Sequence, residues 1–367
     1  MDLLTLILFA VGVVLLLVGA EALVRGAARL AVTFGISPLV VGLTVVAFGT
    51  SAPELAVNVS SAAQGQSDIG VGNIVGSNVF NILFILGLAA TIAPLVVSQQ
   101  VVRLEVPLMI AVSVVFLLFA LNGNVSTLEG AILFAGIVVY TVWVIRKSRR
   151  EGKAVQEEYE KEFSGYDQTP IAMAKDLGLV VGGLGLLVLG SHWFVEGAVE
   201  MAEFFGVSEL VIGLTVVAMG TSMPEVATSV VASIRGERDI AVGNVVGSNL
   251  FNILMVLGLT SFIAKGGIDV PDAALRFDIP VMIVVAVACL PVFVTGKEIA
   301  RWEGVVFLLY AVAYVTYLLL DASGNEATRA FAVAMVGFAM PLTAITLVVL
   351  LVRHVRNGDP PAAADSG

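Results

Sequence analysis

The sequence predicts an all-α polytopic membrane protein made of two five-helix repeats with inverted topology, followed by an eleventh, C-terminal helix. Three observations carry this reading. The chain is 58% hydrophobic and only 13% charged, with a mean hydropathy of +1.00, far from the composition of a water-soluble domain. Apolar stretches of about 20 residues recur along its length, the length of helices crossing a hydrocarbon core, and not the alternating ten-residue strands of a barrel. The second half also repeats the polar signature of the first at an offset of 171 residues (Glu225 against Glu54).

Taken in order, apolar runs and their polar boundaries place helices at 3–24, 38–63, 69–93, 104–121 and 126–145, then 174–198, 208–234, 240–264, 277–295, 300–320 and 330–352. The first is expected to be a retained helix: the residues before it carry Asp2 and no base, and it outruns a signal-peptide core. Arg146 to Pro170 is the most polar stretch, basic and then acidic through Glu157, Glu158, Glu160 and Glu162, and reads as a solvated linker. The chain therefore divides into a first repeat (1–145), a linker (146–173), a second repeat (174–320) and an additional helix with its tail (321–367). Asp68 and Asp239, at short loops, are expected to be helix N-caps. Cys289, the only cysteine, stands in an apolar run and implies no disulfide or zinc chemistry.

The internal match is ungapped over about 40 residues. Gly42-Leu43-Thr44-Val45-Val46-Ala47 meets Gly213-Leu214-Thr215-Val216-Val217-Ala218, and Gly49-Thr50-Ser51-Ala52-Pro53-Glu54 meets Gly220-Thr221-Ser222-Met223-Pro224-Glu225. Gly72-Asn73-Ile74-Val75-Gly76-Ser77-Asn78 meets Gly243-Asn244-Val245-Val246-Gly247-Ser248-Asn249, and Phe80-Asn81-Ile82-Leu83 meets Phe251-Asn252-Ile253-Leu254. Unrelated apolar helices share composition but not the placement of Asn, Ser, Thr, Pro and Glu. With the N-terminus outside, 16 of the 19 Lys and Arg fall on the cytoplasmic side, leaving only Lys265, Arg276 and Arg329 outside. Five helices precede the linker, so the second copy enters the membrane in the opposite sense.

Glu54 and Glu225 lie inside apolar helices, where an ionised carboxylate costs about 2.5–3.5 kcal/mol. Two at equivalent places mark a functional site. Pro53 and Pro224 interrupt their helices and free carbonyls near Gly49 and Gly220. Thr50, Ser51, Thr221 and Ser222 add hydroxyls; Ser77 with Asn81, and Ser248 with Asn252, each share one helical face. Taken singly, the small polar residues suit helix packing and the Asn residues suit interhelical hydrogen bonds equally well. Together they form an all-oxygen set suited to a hard cation, Ca²⁺ above all, and able to hold Na⁺.

At these residues the chain resembles the calcium/cation antiporter superfamily, of the prokaryotic sodium/calcium exchanger type. The resemblance implies the ten-helix exchanger fold, in a multi-pass protein of the cell membrane with its linker and C-terminus cytoplasmic. It implies a transporter, not an enzyme, that exchanges Ca²⁺ for Na⁺ by alternating access. Its partners are the lipid bilayer and small cations, with no nucleic acid and no cofactor beyond the transported Ca²⁺ and Na⁺. The ligands it implies are Ala47, Thr50, Ser51, Glu54, Ser77 and Asn81, and Ala218, Thr221, Ser222, Glu225, Ser248 and Asn252, the alanines acting through their carbonyls. It also implies that the first helix and the one at 174–198 slide across the core, with glycines 178, 182, 183, 185 and 190 as the smooth face. The chain departs from several exchangers in having Asn at both 81 and 252, where those carry one Asp, and in its eleventh helix. Proton or potassium coupling, and a passive cation channel, remain the alternatives.

Overall fold

The computed structural model describes residues 3–162, 169–207, 209–212, 215–216, 218–295 and 297–357. Its long helices are α1 (Leu3–Phe34), the bent pair α2a (Pro38–Thr50) and α2b (Ala52–Ala63), α3 (Ile69–Ile92), α4 (Val101–Ala120), α5 (Thr127–Glu162), α6 (Pro170–Phe204), α7 (Met223–Arg235), α8 (Arg238–Ile263), α9 (Ala274–Val294), α10 (Arg301–Ala322) and α11 (Ala327–Leu350). Among the described residues nine helices are long and apolar enough to cross a membrane, and a tenth is the bent pair α2a–α2b, with 42° between its halves. The chain is thus a multi-pass membrane protein.

The segment at 208–234 contains residues outside the described set, so its count as a span comes from topology. Two short antiparallel ribbons tie distant loops together: β1 (Leu95–Val96) with β4 (Glu298–Ile299), and β2 (Asn124–Val125) with β3 (Ile268–Asp269). Paired strands lie on one face of the membrane, so an even number of crossings separates them. Between β2 and β3 lie α5, α6, α8 and the chain around α7, and the number is even only if that chain also crosses.

Each half repeats the irregularities of the other. Helices α3 and α8 widen into a turn of i→i+5 hydrogen bonds at Asn81–Leu86 and Asn252–Leu257, and α4 and α9 begin with such turns at Val101–Glu105 and Ala274–Asp278. Wide turns of this kind recur at functional sites, because they redirect a helix face and loosen its carbonyls. Helix α8 sits at the centre: every residue of its Ile240–Phe251 stretch is buried, packed against α2a, α7 and α3.

Glycine explains how α1 joins α6. Gly12, Gly19 and Gly26 recur every seven residues, as do Gly183, Gly190 and Gly197 at an offset of 171. A Cβ on Gly19 would lie 2.8 Å from the Gly183 carbonyl oxygen, and one on Gly183 would lie 2.7 Å from that of Gly19. The backbones touch, and α1 and α6 form one antiparallel pair. This corrects the expected smooth face: Gly183 and Gly190 face α1, while a Cβ on Gly178, Gly182 or Gly185 would meet nothing within 4 Å.

Two further expectations change. Helix α5 runs unbroken to Glu162, so most of the expected linker is a continuation of the helix. Glu237 precedes α8 and Asp239 lies within its first turn; Asp68 is the second residue of the helical stretch Ser67–Phe80 that leads into α3, and its side chain lies outside the described set. Neither aspartate holds the N-cap position. The eleventh helix exists, but no side chain in its first thirteen residues is buried. It is held partly by Tyr310, whose hydroxyl donates to the Ala339 carbonyl (3.1 Å) and pairs with Thr343 (2.6 Å). An apolar cavity of about 530 Å³ separates it from α9 and α10, with neither intramembrane glutamate of the repeat motif in its walls.

Candidate cation site

Proline sets the geometry. With Pro53 and Pro224 in the first turns of α2b and α7, the helices break at Ser51 and Ser222, and Glu54 and Glu225 emerge one turn later. Both carboxylates are 1% exposed. Each is held by the other repeat: Ser222 Oγ donates to Glu54 Oε1 (3.1 Å), and Ser51 Oγ donates to Glu225 Oε1 (3.3 Å). Ser222 Oγ also lies 3.3 Å from Ser77 Oγ, and Thr50 Oγ1 lies 3.5 Å from Ser248 Oγ.

The threonines and asparagines complete the network. Thr50 donates to Asn244 Oδ1 (3.1 Å) and Thr221 to Asn73 Oδ1 (3.2 Å). Asn81 Nδ2 donates to Asn249 Oδ1 (3.0 Å), and Asn252 Nδ2 to Asn78 Oδ1 (3.3 Å). Glu54 Oε2, Glu225 Oε2, Asn81 Oδ1 and Asn252 Oδ1 are buried acceptors with no donor. Buried acceptors are nearly always satisfied. Four are left over among the motif residues, two of them on carboxylates, a donor-free set of oxygens whose chemistry suits a cation.

Hydrogen bonds thus join Glu54 to Ser222 and through it to Ser77, Glu225 to Ser51, Thr50 to Ser248 and Asn244, and Thr221 to Asn73, while Asn81 and Asn252 bond to Asn249 and Asn78 instead. The Ala47 carbonyl accepts from the Ser51 amide at 3.0 Å and lies 3.4 Å from the Thr50 hydroxyl. Ala218 opens the short helical piece Ala218–Gly220, and its side chain lies outside the described set. The Gly220 carbonyl, expected to be free, accepts from Ser191 Oγ of α6 at 2.7 Å.

Sequence reading missed the outer layer. Asn73, Asn78, Asn244 and Asn249 stand in the repeated motif, but only their contacts reveal that each accepts a hydrogen bond from a candidate site residue. It also missed a second carboxylate pair. Glu105 on α4, fully buried, accepts from Tyr140 on α5 (2.5 Å) and Gln100 (2.8 Å), and Asp278 on α9 accepts from Tyr314 on α10 (3.0 Å). The signal was present as Glu105/Asp278 and Tyr140/Tyr314 at offsets of 173 and 174, which the drift in loop length hid.

The two halves differ in one respect. Helix α1 packs along α7, covering Ala227 and Val231 to 9% and 8% exposure. Their counterparts on α2b, Ala56 and Ser60, are exposed, and α6 shows no comparable packing there. At the covered end Glu21 of α1 is paired with Arg25 and with Arg235 of α7, whose Nε and second guanidinium nitrogen lie 2.9 and 2.5 Å from the two carboxylate oxygens. The first-repeat counterpart of Arg235 is Gln64. The groove beside α2b is open and the groove beside α7 is closed. Helix α6 crosses both breaks: a Cβ on Gly49 would meet Leu184 at 2.4 Å, and one on Gly220 would meet Val195 at 2.2 Å.

The chain matches the family model described as sodium/calcium exchanger protein over residues 4–146 and 175–320. It is 33% identical over 343 residues to the sodium/calcium exchanger MaX1 of Methanosarcina acetivorans, covering 85% of this chain and 97% of that protein. To the inner membrane protein YrbG of Escherichia coli it is 39% identical over 286 residues, covering 76% and 86%. A solved structure of the sodium-calcium exchanger NCX_Mj superimposes with a TM-score of 0.74 at 27% identity, covering 87% of this chain and all of that one. Two motif-bearing halves, a buried pair of glutamates and these likenesses lead to one conclusion: the chain belongs to the sodium/calcium exchanger protein family and has its ten-helix fold.

Proposed function

We propose that the protein exchanges Ca²⁺ for Na⁺ across the cell membrane by alternating access at one midplane site. The observation that carries this reading is the set of four orphaned acceptors, Glu54 Oε2, Glu225 Oε2, Asn81 Oδ1 and Asn252 Oδ1. Two carboxylates neutralise one Ca²⁺, and six to eight flexible oxygen ligands suit that ion. The surrounding hydroxyls and amides offer Na⁺ overlapping sites, so occupancy by one ion excludes the other. With Asn at both 81 and 252, the two glutamates carry all the side-chain charge of the site. The coupling named in the MaX1 and NCX_Mj descriptions supports sodium as the counter-ion.

The two halves act as inverted repeats, the N-terminus lies outside, and α1 with α6 forms the moving body, joined by its glycine seam. The open groove beside α2b then faces the exterior, and the closed groove beside α7 faces the cytoplasm. Moving α1–α6 across the two hairpins exposes the same oxygens to each side in turn. An inward sodium gradient drives Ca²⁺ out.

The test is uptake of radiolabelled Ca²⁺ into proteoliposomes with Na⁺, K⁺ and H⁺ gradients imposed one at a time. Sodium-driven uptake that is lost in Glu54→Gln and in Glu225→Gln is the expected result. Uptake that persists without sodium and collapses with the pH gradient would replace sodium by protons. Flux that no gradient drives uphill would make the protein a channel.

A further inference from the structure

Resting on this cation-site reading, we propose that Asn78 and Asn249 are positioning residues, anchored by Met282 and Met109, that turn the oxygens of Asn252 and Asn81 towards the ion. An asparagine amide is a two-ended group: its oxygen attracts a cation and its NH₂ repels one. Whether Asn81 and Asn252 serve as ligands or as barriers therefore depends on what fixes the flip of each amide.

The structure supplies that control twice, in the same form. Asn81 Nδ2 is drawn away by Asn249 Oδ1, and Asn249 Nδ2 in turn points at the Met109 sulfur (3.4 Å). Asn252 Nδ2 is drawn away by Asn78 Oδ1, and Asn78 Nδ2 points at the Met282 sulfur (3.4 Å). All six side chains are at most 2% exposed. A thioether accepts weakly and donates nothing, so an Asn249 turned the other way would set its oxygen against a sulfur lone pair. That leaves Asn249 presenting its oxygen to Asn81, and the Asn81 oxygen buried without a donor, four residues after Ser77 on the same helix.

The chain Met109–Asn249–Asn81 starts on α4, and Met282–Asn78–Asn252 starts on α9, so each connects a scaffold helix to the site. Met109 and Met282 stand at matching places in the two halves, two residues after Pro107 and Pro280. A packing accident would not repeat the same three residue types in the same donor order on both sides.

The test is a double-mutant cycle in proteoliposomes, reading the Ca²⁺ and Na⁺ concentrations for half-maximal exchange. Asn249→Leu keeps the volume and removes the acceptor, freeing the Asn81 amide to turn. We expect it to weaken apparent Ca²⁺ affinity on the order of tenfold, the scale of one lost oriented hydrogen bond, with the maximal rate far less changed. In an Asn81→Ala background the same substitution should have no further effect on affinity. Asn249→Asp, which keeps an acceptor facing Asn81, should retain more of the affinity than Asn249→Leu.

An Asn249→Leu effect that adds in full to that of Asn81→Ala, or no effect where Asn81→Ala has one, overturns the positioning role and leaves the cation site standing. No effect of Asn81→Ala overturns Asn81 as a ligand, and the positioning role with it. Asn78→Leu read against Asn252→Ala is the equivalent cycle in the other repeat, and it decides the question if Asn249→Leu does not fold.

Discussion

Replacing Arg235 by Gln, the residue at the matching place in the first repeat, should shift the protein away from the state with its α7 groove closed. Arg235 Nε donates to Glu21 at 2.9 Å and a second guanidinium nitrogen lies 2.5 Å from the other carboxylate oxygen, so the contact is a charge-assisted one. The side chains are 50% and 27% exposed, so water screens the pair, and its worth is about 0.5–1 kcal/mol. If only the closed state makes this contact, its loss changes the ratio of the two states by about two- to fivefold. The assay is labelling by a membrane-impermeant thiol reagent of a cysteine at Ala56, in the open groove, or at Val231, in the closed one. Background is low because the only native cysteine, Cys289, is buried. In Arg235→Gln the Ala56→Cys rate should fall and the Val231→Cys rate should rise, their ratio changing by that roughly two- to fivefold factor, because the population one state loses the other gains. Raising choline chloride should bring the parent protein towards the variant, since salt screens an exposed pair. Unchanged rates would refute the clasp, and rates rising together would show general loosening instead.

Other outcomes follow from the same contacts. Gly183→Ala puts a methyl group 2.7 Å from the Gly19 oxygen, so the α1–α6 pair should lose about 1–3 kcal/mol, read as a lower thermal midpoint in detergent. Ser191→Ala leaves the Gly220 carbonyl without its hydroxyl donor and should alter the rate of exchange more than the stability of the fold. Tyr140→Phe strips Glu105 of one of its two donors and should destabilise the α4–α5 contact by about 1–3 kcal/mol in the same thermal assay. Ending the chain after Ala322 removes α11, most of whose side chains are unburied, and should preserve sodium-driven Ca²⁺ uptake with a small loss of thermal stability.

Much of this protein was legible in one dimension. Span lengths follow from the thickness of a bilayer, and ten of the eleven expected helices appear as described helices or as a bent pair. Glu54 and Glu225, with the serines and threonines bonded near them, could be named because a carboxylate inside an apolar run is costly whatever surrounds it. A symmetric site also announces itself as a repeated string. Glycine spacing was visible too, but its partner was not. The seven-residue period marks a close-packed face without saying which helix lies against it, and the packing joins α1 to α6 where a face sliding on the core was expected.

What only the tertiary structure decided are properties of pairs. Asn78 and Asn249 look like any polar residue in a membrane helix until their oxygens are found on the amides of Asn252 and Asn81. Glu105 and Asp278 look like surface acids near a helix start until Tyr140 and Tyr314 close over them. The asymmetry between an exposed Ala56 and a covered Ala227 cannot be read from the motif, which is repeated in both halves. Composition and repetition determine what the chain must bury. Which donor meets which acceptor, and which groove stands open, depends on distances that exist only once the helices are packed.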